Sequence, residues 1–157
     1  MTATAHALVA GAILTRFSDP VAASLLAFGS HYMMDSIPHW DFGTNWRGRS
    51  KTLTGALAIF DTAMAFTVAY ILYAGKMGIL PVTVVTSAAL LPDWLETPWY
   101  IFFAHQKKHE PGPKAGLIER MAYTIYKIPN IFHAKAQFPL GLFTQIATVA
   151  FFLILLR

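Results

Sequence analysis

The run Thr52-Leu-Thr-Gly-Ala-Leu-Ala-Ile-Phe-Asp61-Thr-Ala-Met-Ala-Phe-Thr-Val-Ala-Tyr-Ile-Leu-Tyr-Ala74 decides how the chain is to be read. It is long enough to cross hydrocarbon, for which roughly 20 apolar residues are needed. It carries a single ionisable side chain, Asp61, well inside it and with no basic residue within a turn. The same character extends outward. The chain of 157 residues is 55% hydrophobic and only 13% charged, where a soluble domain is nearer a quarter charged. Apolar surface this plentiful cannot all be hidden in one small core, so part of it is expected to face lipid.

Four further apolar segments flank this run. The first is about Ala3 to Phe17. Ser18-Asp19-Pro20 then reads as a cap with a first-turn proline, opening a second helix to about Ile37. Both are short for full spans, so a tight helical hairpin, tilted or partly interfacial, is expected. After Gly75-Lys76-Met77-Gly78 comes a segment from Ile79 to about Leu91, expected to break at Pro92-Asp93 and resume over Trp94–Phe103. The last, Phe138 to Leu156, is a clean span. Between them lies a polar stretch, about 105–137, whose middle from Gly116 to Ile128 has the amphipathic pattern of an interfacial helix. The expected fold is therefore an all-α integral membrane protein. A single membrane-embedded domain over 1–157 would bundle about five short transmembrane or interfacial helices.

Charge sets the orientation. With five crossings, the N-terminus, the 39–51 loop and the 105–137 region share one side. That side holds nine of the twelve basic residues, leaving Arg16, Lys76 and Arg157 for the other. The positive-inside rule then puts both large loops in the cytoplasm, with the protein in the cell (inner) membrane. The first apolar run lacks a positively charged leader and carries His6, so it is expected to remain in the mature protein. The net charge of +4 is dispersed in loops rather than drawn into a stripe, which argues against nucleic acid as a partner. With no cysteine, disulfides and thiolate metal sites are excluded.

Chemistry concentrates in His31-Tyr-Met-Met-Asp35-Ser-Ile-Pro38-His39-Trp-Asp41. Residues four apart lie one above another on a helix, so His31 and Asp35 can address one point. Pro38 bends the chain, which lets His39 and Asp41 turn back toward it. Two imidazoles and two carboxylates form a ligand set suited to Zn, or to Mn or Fe. The plain alternative is a helix end dressed with polar interface residues, Trp40 being an aromatic-belt anchor. Ionisable residues inside apolar segments are costly and usually functional, which favours the ligand reading. The same reasoning singles out Asp61, which could instead stay protonated against a neighbouring helix. His6 is open to either reading, ligand or interface residue. Asp93 fits a capping box, Asp93-Trp-Leu-Glu96, as well as it fits a ligand. His133 reads equally as ligand or surface.

His105-Gln-Lys-Lys-His109 has zinc-helix spacing but lacks the glutamate of HExxH and inserts two lysines, so it is set aside. No glycine-rich phosphate loop or nucleophile elbow is present. His6, His31, Asp35, His39, Asp41, Asp93 and His133 all map to the N-terminal side of the membrane. Asp61 would be the deepest member, roughly 15 Å of helix rise from Lys51.

Thr4-Ala-His6-Ala, His31-x3-Asp35-x2-Pro38-His39-x-Asp41 and Leu91-Pro92-Asp93 together resemble bacterial membrane-bound metal-dependent hydrolases, distantly similar to zinc-dependent phospholipase C. The resemblance covers most of the first hundred residues. It implies a helical domain holding a multinuclear zinc site, with His6, His31, Asp35, His39 and Asp93 as ligands. Asp61 and His133 join them by placement. The spacing after Asp35 differs from that family and its H-R-x-x-H-S element is absent, which leaves metal number and reaction type open.

The expected function is hydrolysis of a phosphoester, such as a membrane lipid or polyprenyl phosphate, at the membrane surface. Metal would bring a bound water to a pKa of about 7 and polarise the phosphoryl oxygen, with Asp41 or Asp61 as general base. Arg47, Arg49 and Lys51 could hold an anionic head group, or simply mark topology. Two rivals stand beside this. One is ion or proton transport through an oligomer, and the other a non-catalytic scaffold stapled by metal.

Overall fold

The computed structural model describes residues 1–104 and 110–157. It is all-helical, with no strand among the described residues. The helices in chain order are α1 (Ala3–Arg16), α2 (Pro20–Asp35), α3 (Lys51–Ala69), α4 (Ile79–Pro98), α5 (Leu117–Phe132) and α6 (Leu140–Leu155). A π-helical turn, Tyr70–Ala74, and one further turn prolong α3, so a single rod runs Lys51–Met77. Another π-turn, Trp99–Phe103, prolongs α4 into a rod over Ile79–Phe103. The histidine pair at 105 and 109 lies outside the described residues.

Local chemistry sets the boundaries. Asp19 accepts hydrogen bonds from Val21 N and Ala22 N, with Pro20 at the first helical position, as its sequence suggests. Ser50 caps α3 through Leu53 N, and Thr2 caps α1 through Ala5 N. Gly78, at φ +84°, turns the chain between the two rods in a conformation that side-chain-bearing residues avoid.

One boundary differs from expectation. Pro92-Asp93 does not interrupt the fourth segment, and α4 passes straight through it. Asp93 is therefore no N-cap but sits mid-helix, free to present its carboxylate sideways. A proline inside a helix removes one donor and disturbs the preceding turn. Neighbouring helices can re-satisfy the carbonyls this leaves. The carbonyl that Pro92 leaves without its helical donor is that of Ala88; the next one, of Ala89, accepts from His31 Nδ1 on α2 at 2.8 Å.

Helix α1 is the hub and packs against α2, α3, α4 and α6. Its contact faces carry small residues, Ala7 and Ala10, met by Ala23, Ala27, Ala65, Ala69 and Ala89, all fully buried. Small side chains let helix backbones approach closely where no hydrophobic force drives them together. Gly11 meets the Tyr73 ring, whose hydroxyl donates to the Leu8 carbonyl at 2.9 Å.

Both rods are long and apolar enough to cross a membrane. In the most apolar stretch of Lys51–Met77 only 17% of residues are buried, far less than a core helix of a soluble protein would show. Ile59, Ile71 and Leu80 point outward, and α6 is apolar throughout though shorter. Helix α5 is the amphipathic one. It turns Ala122 and Tyr126 toward Trp99 and exposes Leu117, Ile118, Met121 and Ile128. It runs past the expected end at 128, through Pro129, to Phe132.

Candidate metal centre

Four elements bring the site together. His6 lies in the second turn of α1, and His31 and Asp35 in the last turns of α2. Asp93 comes from mid-α4, and His133 is the residue that ends α5. Beyond a turn at Ser36 and Ile37, the chain runs alongside residues 134–136. Ala134 N donates to the Asp35 carbonyl (2.8 Å), His39 N to the Ala134 carbonyl (3.1 Å) and Ala136 N to the His39 carbonyl (2.8 Å). This short parallel pairing carries His133 to His39 and Asp41. The start of α6 braces it, because Trp40 N donates to the Gly141 carbonyl at 3.1 Å.

Two groups of ligand-type atoms result, each within 4.8 Å of one another: His6, His31 and Asp93, and Asp35, His39 and His133. The His6 and His31 rings stack with centroids 4.0 Å apart. Asp35 joins the groups. Its Oδ1 is 3.2 Å from His6 Nε2 and 3.7 Å from His39 Nε2, while its Oδ2 is 3.3 Å from His31 Nε2 and 3.7 Å from His133 Nδ1. Asp93 Oδ1 is 3.6 Å from His31 Nε2. Ligands at 2.0–2.2 Å on a tetrahedral metal stand about 3.3 Å from each other, so the spacing is that of a coordination shell. The Met1 amino group also donates to Asp35 Oδ1.

The protonation pattern points the same way. His31 Nδ1 is 2.8 Å from the Ala89 carbonyl and His39 Nδ1 is 2.8 Å from the Ile37 carbonyl. A carbonyl only accepts, so each Nδ1 carries a hydrogen, and each ring in its neutral form would offer a bare Nε2 to the cluster. Metal-bound imidazoles are commonly oriented by this kind of carbonyl contact. His6 is 1% exposed and neither of its ring nitrogens makes a well-formed hydrogen bond. Its 3.2 Å approach to Asp35 satisfies distance but not direction. Imidazole nitrogens and carboxylate oxygens thus converge in a buried space beside the Met1 ammonium, an arrangement that would also suit a metal cation.

Asp41 forms the outer wall. Thr44 Oγ1 donates to its Oδ1 at 2.9 Å, and Lys135 Nζ lies 3.7 Å from its Oδ2. His133 Nε2 is 3.0 Å from that same oxygen and 2.9 Å from His39 Nε2. Burial works to raise the Asp41 carboxyl, but the hydrogen bonds with His133 and His39, then the Lys135 charge, hold it well below its ordinary range. Burial pushes His133 below its ordinary value, against the pull of Asp41 and Asp35, so its ring stays neutral and available as a ligand at neutral pH.

Six residues expected to hold metal, His6, His31, Asp35, His39, Asp93 and His133, meet in the two groups, and Asp41 borders them. Asp61 stands apart, in neither group. Its carboxylate accepts from Ala3 N (2.8 Å), Thr4 N (3.4 Å) and the Thr4 hydroxyl (3.3 Å), so it caps the start of α1. Its buried charge is met by helix-end donors, and a role as general base has no geometric support. Arg49 and Lys51 are also occupied. Arg49 donates to the Phe42 carbonyl and, at 3.0 Å, to the Thr44 carbonyl, and Lys51 donates to the Ile101 carbonyl at 2.7 Å. They pin the 42–51 loop. Arg47 lies over the Trp46 ring.

Sequence reasoning missed one buried acid. Glu96 is one turn beyond Asp93, accepting from the Tyr100 hydroxyl (3.0 Å) and Asn130 Nδ2 (3.3 Å). The Asp93-x-x-Glu96 spacing was its signal, since residues three apart share a helix face. Read as a capping box, it hid the inward turn of Glu96.

Gly141 tests how tightly the second group is built. A Cβ there would lie 2.5 Å from Trp40 N, 2.6 Å from the Ala136 carbonyl oxygen and 2.8 Å from His39 C, all backbone atoms. Gly141→Ala is expected to cost about 1–3 kcal/mol of stability, as overpacking does, and to weaken metal binding at the His39/His133 group while sparing the other. Thermal unfolding and metal titration of the variant check this; an unchanged titration would mean that α6 shifts freely.

Fold and site define a helical protein with lipid-length apolar rods and a buried histidine–carboxylate centre able to hold metal. No protein-family profile, curated protein or solved structure matches the chain.

Proposed function

We propose that this protein is an integral membrane, metal-dependent hydrolase that cleaves a phosphoester of a lipid-like substrate at the membrane surface. The observation that carries this reading is the convergence on Asp35 of imidazole nitrogens from two histidine groups. It supports two metal positions sharing one carboxylate. Zinc suits a nitrogen and oxygen set best, with manganese or iron as alternatives.

With Asp35 shared, the first group would offer four protein ligands and the second three, so the Asp35/His39/His133 group is the one that would leave a position for water or substrate. Bound metal would supply a nucleophile at neutral pH and withdraw charge from the phosphoryl oxygens. The chain's own part is to hold that geometry and move a proton. Asp41, ionised and beside His133, is the carboxylate placed to accept a proton from attacking water, with Thr44 and Lys135 fixing its orientation. The Asp93 side chain is 36% exposed, against 4% for Asp35, so substrate approaches from the Asp93 side.

Membrane integration rests on the two exposed apolar rods. Sidedness rests on the excess of Lys and Arg in the 39–51 and 105–137 loops, which favours the cytoplasm for this face.

The test is metal content by mass spectrometry on detergent-purified protein beside a His31→Ala/Asp35→Ala double variant, followed by phosphate release from a phosphatidic acid panel. Close to stoichiometric metal in the parent and its loss in the variant are expected. Absence of metal in both, even after loading with zinc or manganese, would sink the hydrolase reading and leave the cluster as polar glue between helices.

A further inference from the structure

Lys135 stands at the rim of the His39/His133 group, beside Asp41. We propose that its ammonium binds the third free oxygen of a terminal phosphate, so that the substrate is a phosphomonoester rather than a diester. This rests on the hydrolase reading above and adds the class of ester to it.

Backbone pairing puts the lysine there. His39 and Lys135 face each other in a parallel bridge. Side chains two apart on an extended chain share a face, so Asp41 follows His39, and Lys135 follows His133, on one side of the pair. The contacts agree, since His133 Nε2 lies 3.0 Å and Lys135 Nζ 3.7 Å from the same Asp41 Oδ2. Gly43 gives these groups room, because a Cβ there would come within 3.2 Å of Asp41 Oδ1 and 3.7 Å of Lys135 Nζ.

This position leaves the ammonium free to bind. It carries three donors, and at 3.7 Å the Asp41 oxygen is beyond hydrogen-bond reach. Thr44 and His133 already hydrogen-bond Asp41, so Lys135 lends it charge and keeps its donors. The Lys135 side chain is 35% exposed, like that of Asp93 at 36%, while Asp35, His39 and Asp41 are buried. Unused donors therefore stand at an open edge, next to the group that would leave a position for substrate.

The chemistry of the ester decides what such donors take. A phosphomonoester presents three strong acceptor oxygens and close to two negative charges at neutral pH, whereas a diester has one oxygen and one charge fewer. Two metal positions can engage two oxygens, which leaves the third to a charged donor, and lysine serves phosphate well as a point charge. Two divalent ions with Lys135 would outweigh the carboxylates of Asp35, Asp41 and Asp93 by two charges. A monoester dianion cancels that excess and a diester does not.

The test is calorimetric titration of the full-length, zinc-loaded protein in maltoside detergent with methyl phosphate and with dimethyl phosphate. The parent is expected to bind the monoester at least about tenfold more tightly, as one further charge-assisted contact provides. Lys135→Gln should weaken monoester binding about tenfold and change diester binding by less than about twofold, with zinc content at the parent level. Lys135→Arg, which restores the charge, should recover most of the preference. Lys135→Met is the second neutral variant should Lys135→Gln lose zinc. Monoester affinity unchanged by neutralising Lys135, or an equal loss for both anions, would overturn the proposal, the latter being what charge balance at Asp41 alone produces. The two readings separate cleanly. Zinc and Lys135-dependent monoester binding without phosphate release would remove the hydrolase reading alone. Phosphate release with the monoester preference intact in Lys135→Gln would remove only the role of Lys135.

Discussion

Asp35→Asn is expected to remove metal from both groups at once. The side chain keeps its size, but one oxygen becomes an amide whose hydrogens point at ring nitrogens. The four contacts of 3.2–3.7 Å from His6, His31, His39 and His133 converge on this one carboxylate. Loss of an outer partner weakens a metal by 10–100-fold, so loss of a shared ligand should exceed about 100-fold at each position. Asp93→Asn bears only on the His6/His31 group and should leave one equivalent tightly bound. Asp41→Asn, which alters the support of His133, should fall within the outer-partner range but depress phosphate release far more than metal content. Competitive titration with a chromophoric zinc chelator distinguishes the three. Should Asp35→Asn lose a single equivalent, the shared-carboxylate geometry would be wrong and the groups would be independent.

The parts of the site that could be read from the chain are those set by local periodicity. His31 and Asp35 are four apart on one helix, and Pro38 releases the chain so that His39 and Asp41 can return. Asp19-Pro20 declares a helix start, and the alternation of Leu117, Ile118 and Met121 with charged neighbours declares an amphipathic helix. His133 could be suspected but not placed, because its position depends on backbone pairing between residues 35–39 and 134–136, remote in sequence. Asp61 shows why burial alone misleads. A carboxylate in an apolar helix needs donors, and helix-terminal N–H groups answer that need as well as a metal does. At Pro92 the local rule yields to tertiary structure, since α4 runs through the proline while packed against α1 and α2.

Metal should also stabilise the fold, and acid should erase the gain. A ligand that binds only the folded state at 100 times its dissociation constant adds about 2.7 kcal/mol. For a chain of this size that raises the unfolding midpoint by about 5 °C or more. The effect should be large here because the ligands come from α1, α2, α4 and the end of α5, so one centre ties four helices that otherwise meet through small side chains. Every imidazole must be neutral to bind, so metal affinity falls with pH as protons compete. Burial holds His133 below the ordinary histidine range, so its nitrogen is lost to protons only at pH values below about 6.5. Lowering the pH from 7.5 toward 5 should therefore shrink the metal-induced shift toward zero while the metal-free protein changes less. Differential scanning fluorimetry at fixed free zinc, with and without chelator, reads both curves. A shift that is equally large at pH 5 would mean the metal is held by carboxylates alone, and the histidines would then be packing groups rather than ligands.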